Sequence, residues 1–306
     1  MIWLAVTIFS YFLFALSSLT DRYLLAGLLP HPKVFAFYTG VTGAFALVLI
    51  PFGFRLPETQ IILLALGTGA IGVLGVYTSY RAIFKSGVSR IVPMVGALFP
   101  LFTLGLTWIE NPSNIAISPF LGIALLFFVV GTIFLSLRGS LKDFRPSWFD
   151  MGNAVLIAFL FALGLTLANT VYGSEGFVNG FMWMRWGGFL ASVAFLLFPE
   201  ARRIVFAKKK NPAGQKKVFL PFLLGKGAGA SAFLVQQYVI NISAKVQLAF
   251  LSALQGVQYV FLILFVGFLV MKKPELLKEE FQGANAFWKI LGTICIVIGF
   301  IFFGLK

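Results

Sequence analysis

A chain of 306 residues that is 59% apolar and only 11% charged, with a mean hydropathy of +0.96, lacks the polar surface that a water-soluble domain of this length requires. Most of it must be solvated by lipid, and each long apolar run must then satisfy its own backbone hydrogen bonds as a helix. The net charge of +14 falls almost entirely between those runs, which marks a membrane topology and not a nucleic-acid partner.

Ten runs are long enough to cross a hydrocarbon core of roughly 30 Å. They cover residues 2–19, 34–54, 61–80, 91–109, 115–137, 151–172, 177–198, 218–240, 246–270 and 287–305. The first has no basic leader and no small-residue cleavage site, so it reads as an uncleaved membrane helix. His31 follows it between Pro30 and Pro32, without the convergent groups of a ligand site, and reads as a solvated loop residue. The connections are short apart from residues 199–217, whose run Lys208, Lys209 and Lys210 reads as a loop facing anionic lipid. Residues 1–306 therefore form a single membrane domain. The single cysteine, Cys295, lies in the tenth span, which excludes an internal disulfide and a cysteine metal site and leaves packing as its role.

The basic residues divide by side. The odd-numbered connections hold Arg22 and Lys33; Arg81, Lys85 and Arg90; Arg138, Lys142 and Arg145; Arg202, Arg203, Lys208, Lys209, Lys210, Lys216 and Lys217; and Lys272, Lys273, Lys278 and Lys289, nineteen in all. The opposite side holds Arg55, Lys245 and Lys306. Positive charge stays inside, so the nineteen face the cytoplasm and both termini face the other side.

A repeat runs through the chain. Phe14-Ala15-Leu16 aligns with Phe161-Ala162-Leu163, and the same register sets Tyr38-Thr39-Gly40 opposite Arg185-Trp186-Gly187. Leu66-Gly67-Thr68-Gly69-Ala70 aligns with Leu224-Gly225-Lys226-Gly227-Ala228, bringing Tyr80 onto Tyr238. Ala97-Leu98 then meets Ala253-Leu254, and Leu121-Gly122 meets Leu291-Gly292. Five spans per half is an odd number, so the second half enters the membrane from the opposite face, in agreement with the charge division. The expected fold is an all-α membrane protein of ten transmembrane helices in two inverted five-helix repeats, residues 1–140 and 146–306. Such halves suit alternating access around a site near the midplane. The small-residue spacings Gly225/Gly229 and Gly227/Ser231, with Gly67, Gly69, Gly72 and Gly75, fit either a sliding helix contact or static packing.

The stretch Tyr80-Arg81-Ala82-Ile83, leading through Ser89 and Pro93 to Ala97-Leu98-Phe99-Pro100, resembles the EamA-type carriers of the drug/metabolite transporter superfamily over nearly the whole chain. Ala253-Leu254-Gln255-Gly256-Val257-Gln258-Tyr259 and the intramembrane Arg185 are similar to that family's second half, whereas the first half carries Tyr38 where its arginine falls. The resemblance implies secondary transport of metabolites, often efflux of amino-acid-like compounds, with sugar-derived substrates in more distant relatives.

Ionisable side chains inside a span are costly and are functional candidates by default. Arg185 lies about eight residues into its span, roughly 12 Å from the outer end, and Lys226 is about as deep from the cytoplasmic end. Either snorkelling and interhelical bonding or a central cavity accounts for both. Gln247, Gln255 and Gln258 fall within roughly 80° at 100° per residue, a polar stripe that either binds a ligand or holds helices together. Gln236 and Gln237 diverge by roughly 100°, so at most one is expected to look into a cavity. Tyr80 and Tyr238 supply hydroxyls or cap helices, and Trp183 and Trp186 pack a ligand or face lipid. Arg185, Lys226, Gln255, Gln258, Tyr259, Gln236, Tyr80, Tyr238 and Trp186 are thus the candidate substrate-binding residues. Asp21, Glu110 and Glu175 lie at span ends, which removes the buried carboxylate that holds cationic drugs and favours a neutral, zwitterionic or anionic substrate. A transporter of the cell inner membrane is the expected function, with no cofactor and no metal; a receptor, scaffold or lipid-handling protein is the alternative. An enzyme is disfavoured for want of an intramembrane His, Asp or Glu cluster. The expected partners are a small-molecule substrate and the bilayer, with no nucleic acid, and the chain acts as a monomer or homodimer.

Overall fold

The computed structural model describes residues 2–24, 32–110, 112, 118–137, 147–205, 219–272 and 284–304. Among them every regular element is helical: α1 (Ile2–Leu24), α2 (Pro32–Val41) continuing as a 3-10 helix (Thr42–Phe52), α3 (Thr59–Ser86), α4 (Val88–Glu110), α5 (Pro119–Ser136), α6 (Trp148–Phe195), α7 (Pro199–Val205), α8 (Phe219–Ile242), α9 (Lys245–Ala253), α10 (Gln255–Lys272) and α11 (Ala284–Gly304). Seven of these helical segments are long and apolar enough to cross a membrane, and the shorter helix Pro119–Leu135 is also apolar. The chain is a helical membrane protein. Large apolar side chains such as Phe45, Val48, Leu63 and Leu126 lie exposed on its outside, as lipid contact requires.

Four local features depart from uniform spans. α5 starts at Pro119, later than its apolar run, because Ser118 caps it by accepting from the Leu121 N–H and proline is preorganised for the first helical position. The 48-residue α6 is two helices: at Gly176 the backbone takes φ 71° and ψ 177°, a conformation open to glycine. Beyond it the chain folds back, so that Gly180 lies against Val171 and Tyr172. Its arms are residues 148–175 and 177–195. The stretch read as one ninth span is broken at Leu254, where α9 ends and α10 begins. Part of the long basic connection forms α7, with Arg202 and Arg203 exposed in its last turn. His31 and Lys208 to Lys210 lie outside the described residues.

Packing is crosswise. The most extensive pairings join α3 to α6, α1 to α8, α5 to α11 and α4 to α6. One buried apolar cluster is built around Phe128, Phe250, Leu254 and Ile296, and a second around Leu165, Val171, Val239 and Leu248. Glycines bring α2 and α3 onto the second arm of α6 at backbone contact. A Cβ at Gly40 would overlap Ser192, one at Gly43 the Arg185 carbonyl, and one at Gly187 the Leu66 backbone. Gly69 likewise meets Met184 and Gly188, whereas Gly67, Gly72 and Gly227 face open space and Gly229 meets Ser17 of α1.

Candidate functional site

A cavity of about 410 Å³ lies between α1, α2, α3, α4, both arms of α6, α8, α9 and α10. Its walls are mainly apolar, with the rings of Phe14, Phe99, Phe161, Phe181 and Phe233. Its polar side chains include Tyr11, Thr39, Thr68, Arg185, Gln236, Gln237, Gln255 and Gln258.

Arg185 is held from the first half of the chain. Its Nη2 donates to the Thr39 carbonyl at 3.2 Å and to Thr42 Oγ1 at 2.7 Å. Thr42 stands where α2 tightens into the 3-10 helix, and its hydroxyl also bonds back to Thr39 O. Gly43 makes the approach possible, since any side chain there would strike the Arg185 carbonyl. The guanidinium carbon lies 5.4 Å from the centre of the Phe233 ring, within cation–π range. A guanidinium has five N–H donors, and those of Nε and Nη1 meet no protein acceptor among the described residues. The cation reaches neither a carboxylate nor the lipid headgroups through these contacts. It stands in the cavity.

The glutamines are oriented by neighbours. Tyr172 Oη donates to Gln237 Oε1 at 2.8 Å, which leaves the Gln237 amide nitrogen free to donate. Gln236 lies beside the Tyr11 hydroxyl, which donates to the Leu251 carbonyl at 2.7 Å. That carbonyl is available because α9 stops at Ala253 and its last turn has unpaired acceptors. Gln258 Nε2 donates to Ser18 Oγ of α1 at 3.1 Å. Gln236 and Gln237 both line the cavity, contrary to the expectation of one, because α8 stands between α1 and α6 and turns one amide to each. Gln247 belongs elsewhere: its Oε1 accepts from the Ala244 N–H at the start of α9, and the break at Leu254 ends the angular register that tied it to Gln255 and Gln258.

Four of the nine candidates, Arg185, Gln236, Gln255 and Gln258, therefore meet in one cavity. The backbone of Lys226 lies in α8, but its side chain lies outside the described part of the structure. Tyr80, Tyr238, Tyr259 and Trp186 do not line this cavity. Tyr238 is 44% exposed and edge-on to Phe177, and Tyr259 packs against the Phe250 cluster. Trp186 meets Trp183 edge-on and Phe54 at a tilt, while Trp183 Nε1 donates to the Arg55 carbonyl at 3.2 Å, so residues 53–55 lie across the second arm of α6. Thr39, Thr42 and Tyr172 were not singled out from the sequence. The small and hydroxylated run Thr39-Gly40-Val41-Thr42-Gly43 was the signal for the first two.

The described acidic side chains lie at helix ends or at the α6 kink. Asp150 and Ser147 form a reciprocal cap on α6, Glu175 accepts from Asn179 at 2.7 Å, and Glu110 pairs with Lys245. Among the described residues no Asp or Glu lines the cavity.

No protein-family model matches the chain, and no curated protein matches it. Its fold is similar to that of a solved protein crystal structure, with a TM-score of 0.64 at 15% identity, covering 97% of this chain and 94% of the other. At that identity the likeness is one of fold.

Proposed function

We propose that the protein is a secondary transporter that moves a small neutral, zwitterionic or anionic metabolite across the inner membrane by alternating access, through ten spans in two inverted five-helix halves. The observation that carries this reading is Arg185, set in a cavity of about 410 Å³ with two of its three guanidinium nitrogens unused by described residues. A buried guanidinium stays charged and is costly to hold without a counter-ion, so a site of this kind suits a ligand that supplies one. The span count is supported by α6, because 48 residues of continuous helix would reach roughly 72 Å and its hairpin at Gly176 accounts for two passes. The crosswise pairing supports the repeat. In the register above α1 corresponds to the first arm of α6 and α3 to α8, and α1 packs on α8 as α6 packs on α3.

The test is counterflow in proteoliposomes containing the purified full-length protein and an isotope-labelled metabolite pool. The wild type should exchange a subset of the pool, Arg185→Lys should weaken that exchange and Arg185→Ala should abolish it. The protein should lose no more than about 1–2 kcal/mol of stability with its interhelical bonds. Normal exchange by Arg185→Ala would return the residue to a packing role.

A further inference from the structure

We propose that the cavity selects a monoanion whose carboxylate is carried on an aromatic or branched apolar body with no cationic group. This rests on the transport reading above and specifies its substrate class. Charge comes first: Arg185 is the one described cation in the cavity, and its Nε and Nη1 donors have no described protein partner. The Gln237 amide nitrogen adds a further donor, since its oxygen is taken by Tyr172. One carboxylate neutralises one guanidinium and accepts several of these N–H groups, whereas a phosphate dianion would leave negative charge in a low-dielectric site.

The same walls disfavour an ammonium group. No described carboxylate lines the cavity, the Gln237 oxygen is already occupied, and an ammonium would lie in a site that holds a guanidinium. Neutral amide oxygens do not repay the desolvation of such a charge. Away from the amides the cavity is aromatic: Phe99 and Phe161 pair at 6.1 Å, and Phe181 and Phe233 at 6.3 Å. Sugar hydroxyls placed there would lose water without gaining partners, but a ring or branched chain loses nothing by leaving water.

Isothermal titration calorimetry on the purified full-length wild type separates these classes with four probes: hydrocinnamate, its neutral isostere hydrocinnamyl alcohol, phenylalanine and glucose phosphate. Hydrocinnamate should bind more tightly than each of the others by at least about tenfold. Arg185→Gln should lose about tenfold for hydrocinnamate and leave the alcohol unchanged. The comparison of acid with alcohol on the wild type needs no variant, so it stands if Arg185→Gln does not fold. Phenylalanine, the alcohol or glucose phosphate binding as tightly as hydrocinnamate would overturn the proposal, as would no binding of hydrocinnamate. If the metabolite pool is exchanged but hydrocinnamate does not bind, the substrate class is wrong and transport stands. If hydrocinnamate binds in the expected order and nothing is exchanged, the cavity is a carboxylate site and the transport reading fails.

Discussion

Gly187→Ala tests the seam between α3 and the second arm of α6, two of the elements that line the cavity. A Cβ at Gly187 would lie 2.5 Å from Leu66 Cα and 2.7 Å from its carbonyl carbon, and nearer still to the oxygen. Ordinary contact needs about 3.5–4 Å, so α3 and the second arm of α6 must part by about 1 Å. The obstacle is backbone on a packed helix, which cannot swing aside like a side-chain end. Gly69 depends on the same closeness, since its own Cβ would lie 2.6 Å from Gly188 N and 2.9 Å from Met184 C. Overpacking of this type costs about 1–3 kcal/mol. At about 2–4 °C per kcal/mol the melting temperature in detergent, followed by tryptophan fluorescence, should fall by about 2–12 °C. Gly67→Ala is the control: it sits one residue from Leu66, nothing lies within 4 Å, and replacing a helical glycine by alanine there should leave stability level or raise it by about 0.5–1 kcal/mol. Equal melting temperatures for the two variants would refute the close seam.

A reporter fused after Lys306 should be active outside the cytoplasm and one inserted at 208–217 inside it; the reverse pattern would invert the proposed orientation. Asn169, 9% exposed, donates from Nδ2 to the Ile240 and Ser243 carbonyls at 2.7 and 3.0 Å, acceptors left open where α8 ends. Asn169→Ala should cost about 1–3 kcal/mol, read as a lower melting temperature, and an unchanged value would show that those carbonyls find water instead.

Hydropathy located every described long helix because lipid demands continuous apolar surface, and that demand is written residue by residue. What it could not locate were the places where backbone chemistry overrides composition. Ser118-Pro119 starts α5 although the apolar run begins earlier, and the turn at Leu254 interrupts a stretch that is apolar on both sides. The candidate site was legible where it is charged: Arg185 stands out in any apolar span. Its anchors did not, because Thr39 contributes a backbone carbonyl and Thr42 a hydroxyl that matters only when the chain tightens into a 3-10 helix. Gln236 and Gln237 both line the cavity, although they diverge by roughly 100°, because the cavity wraps around the side of α8.

The proposed repeat also explains why two matched glycines behave differently. Gly69 of α3 and Gly227 of α8 occupy the same position in the register, yet Gly69 is pressed against Met184 and Gly188 while Gly227 has nothing within 4 Å. The counterpart of the α3 seam with the second arm of α6 would be a seam of α8 with α2, and no comparably close packing joins those helices among the described residues. On the proposed repeat these would be equivalent interfaces, one close and one apart among the described residues, as alternating access would have them in a single state. On the topology proposed from the charges, Leu66 lies about seven residues, or roughly 10 Å, from the outer end of α3, and Gly227 lies in the cytoplasmic half of α8. On the proposed topology and transport reading, the close seam falls on the outer side and the open one on the inner, the arrangement a cytoplasm-facing form would have. Residues 53–55, bonded across the second arm through Trp183 and Asn179, lie on the shut side as well. Return to the outward-facing form would then close Gly227 onto α2 and release Gly69, while Arg185 keeps its hold on Thr39 and Thr42 because α2 and the second arm stay joined through Gly40 and Gly43.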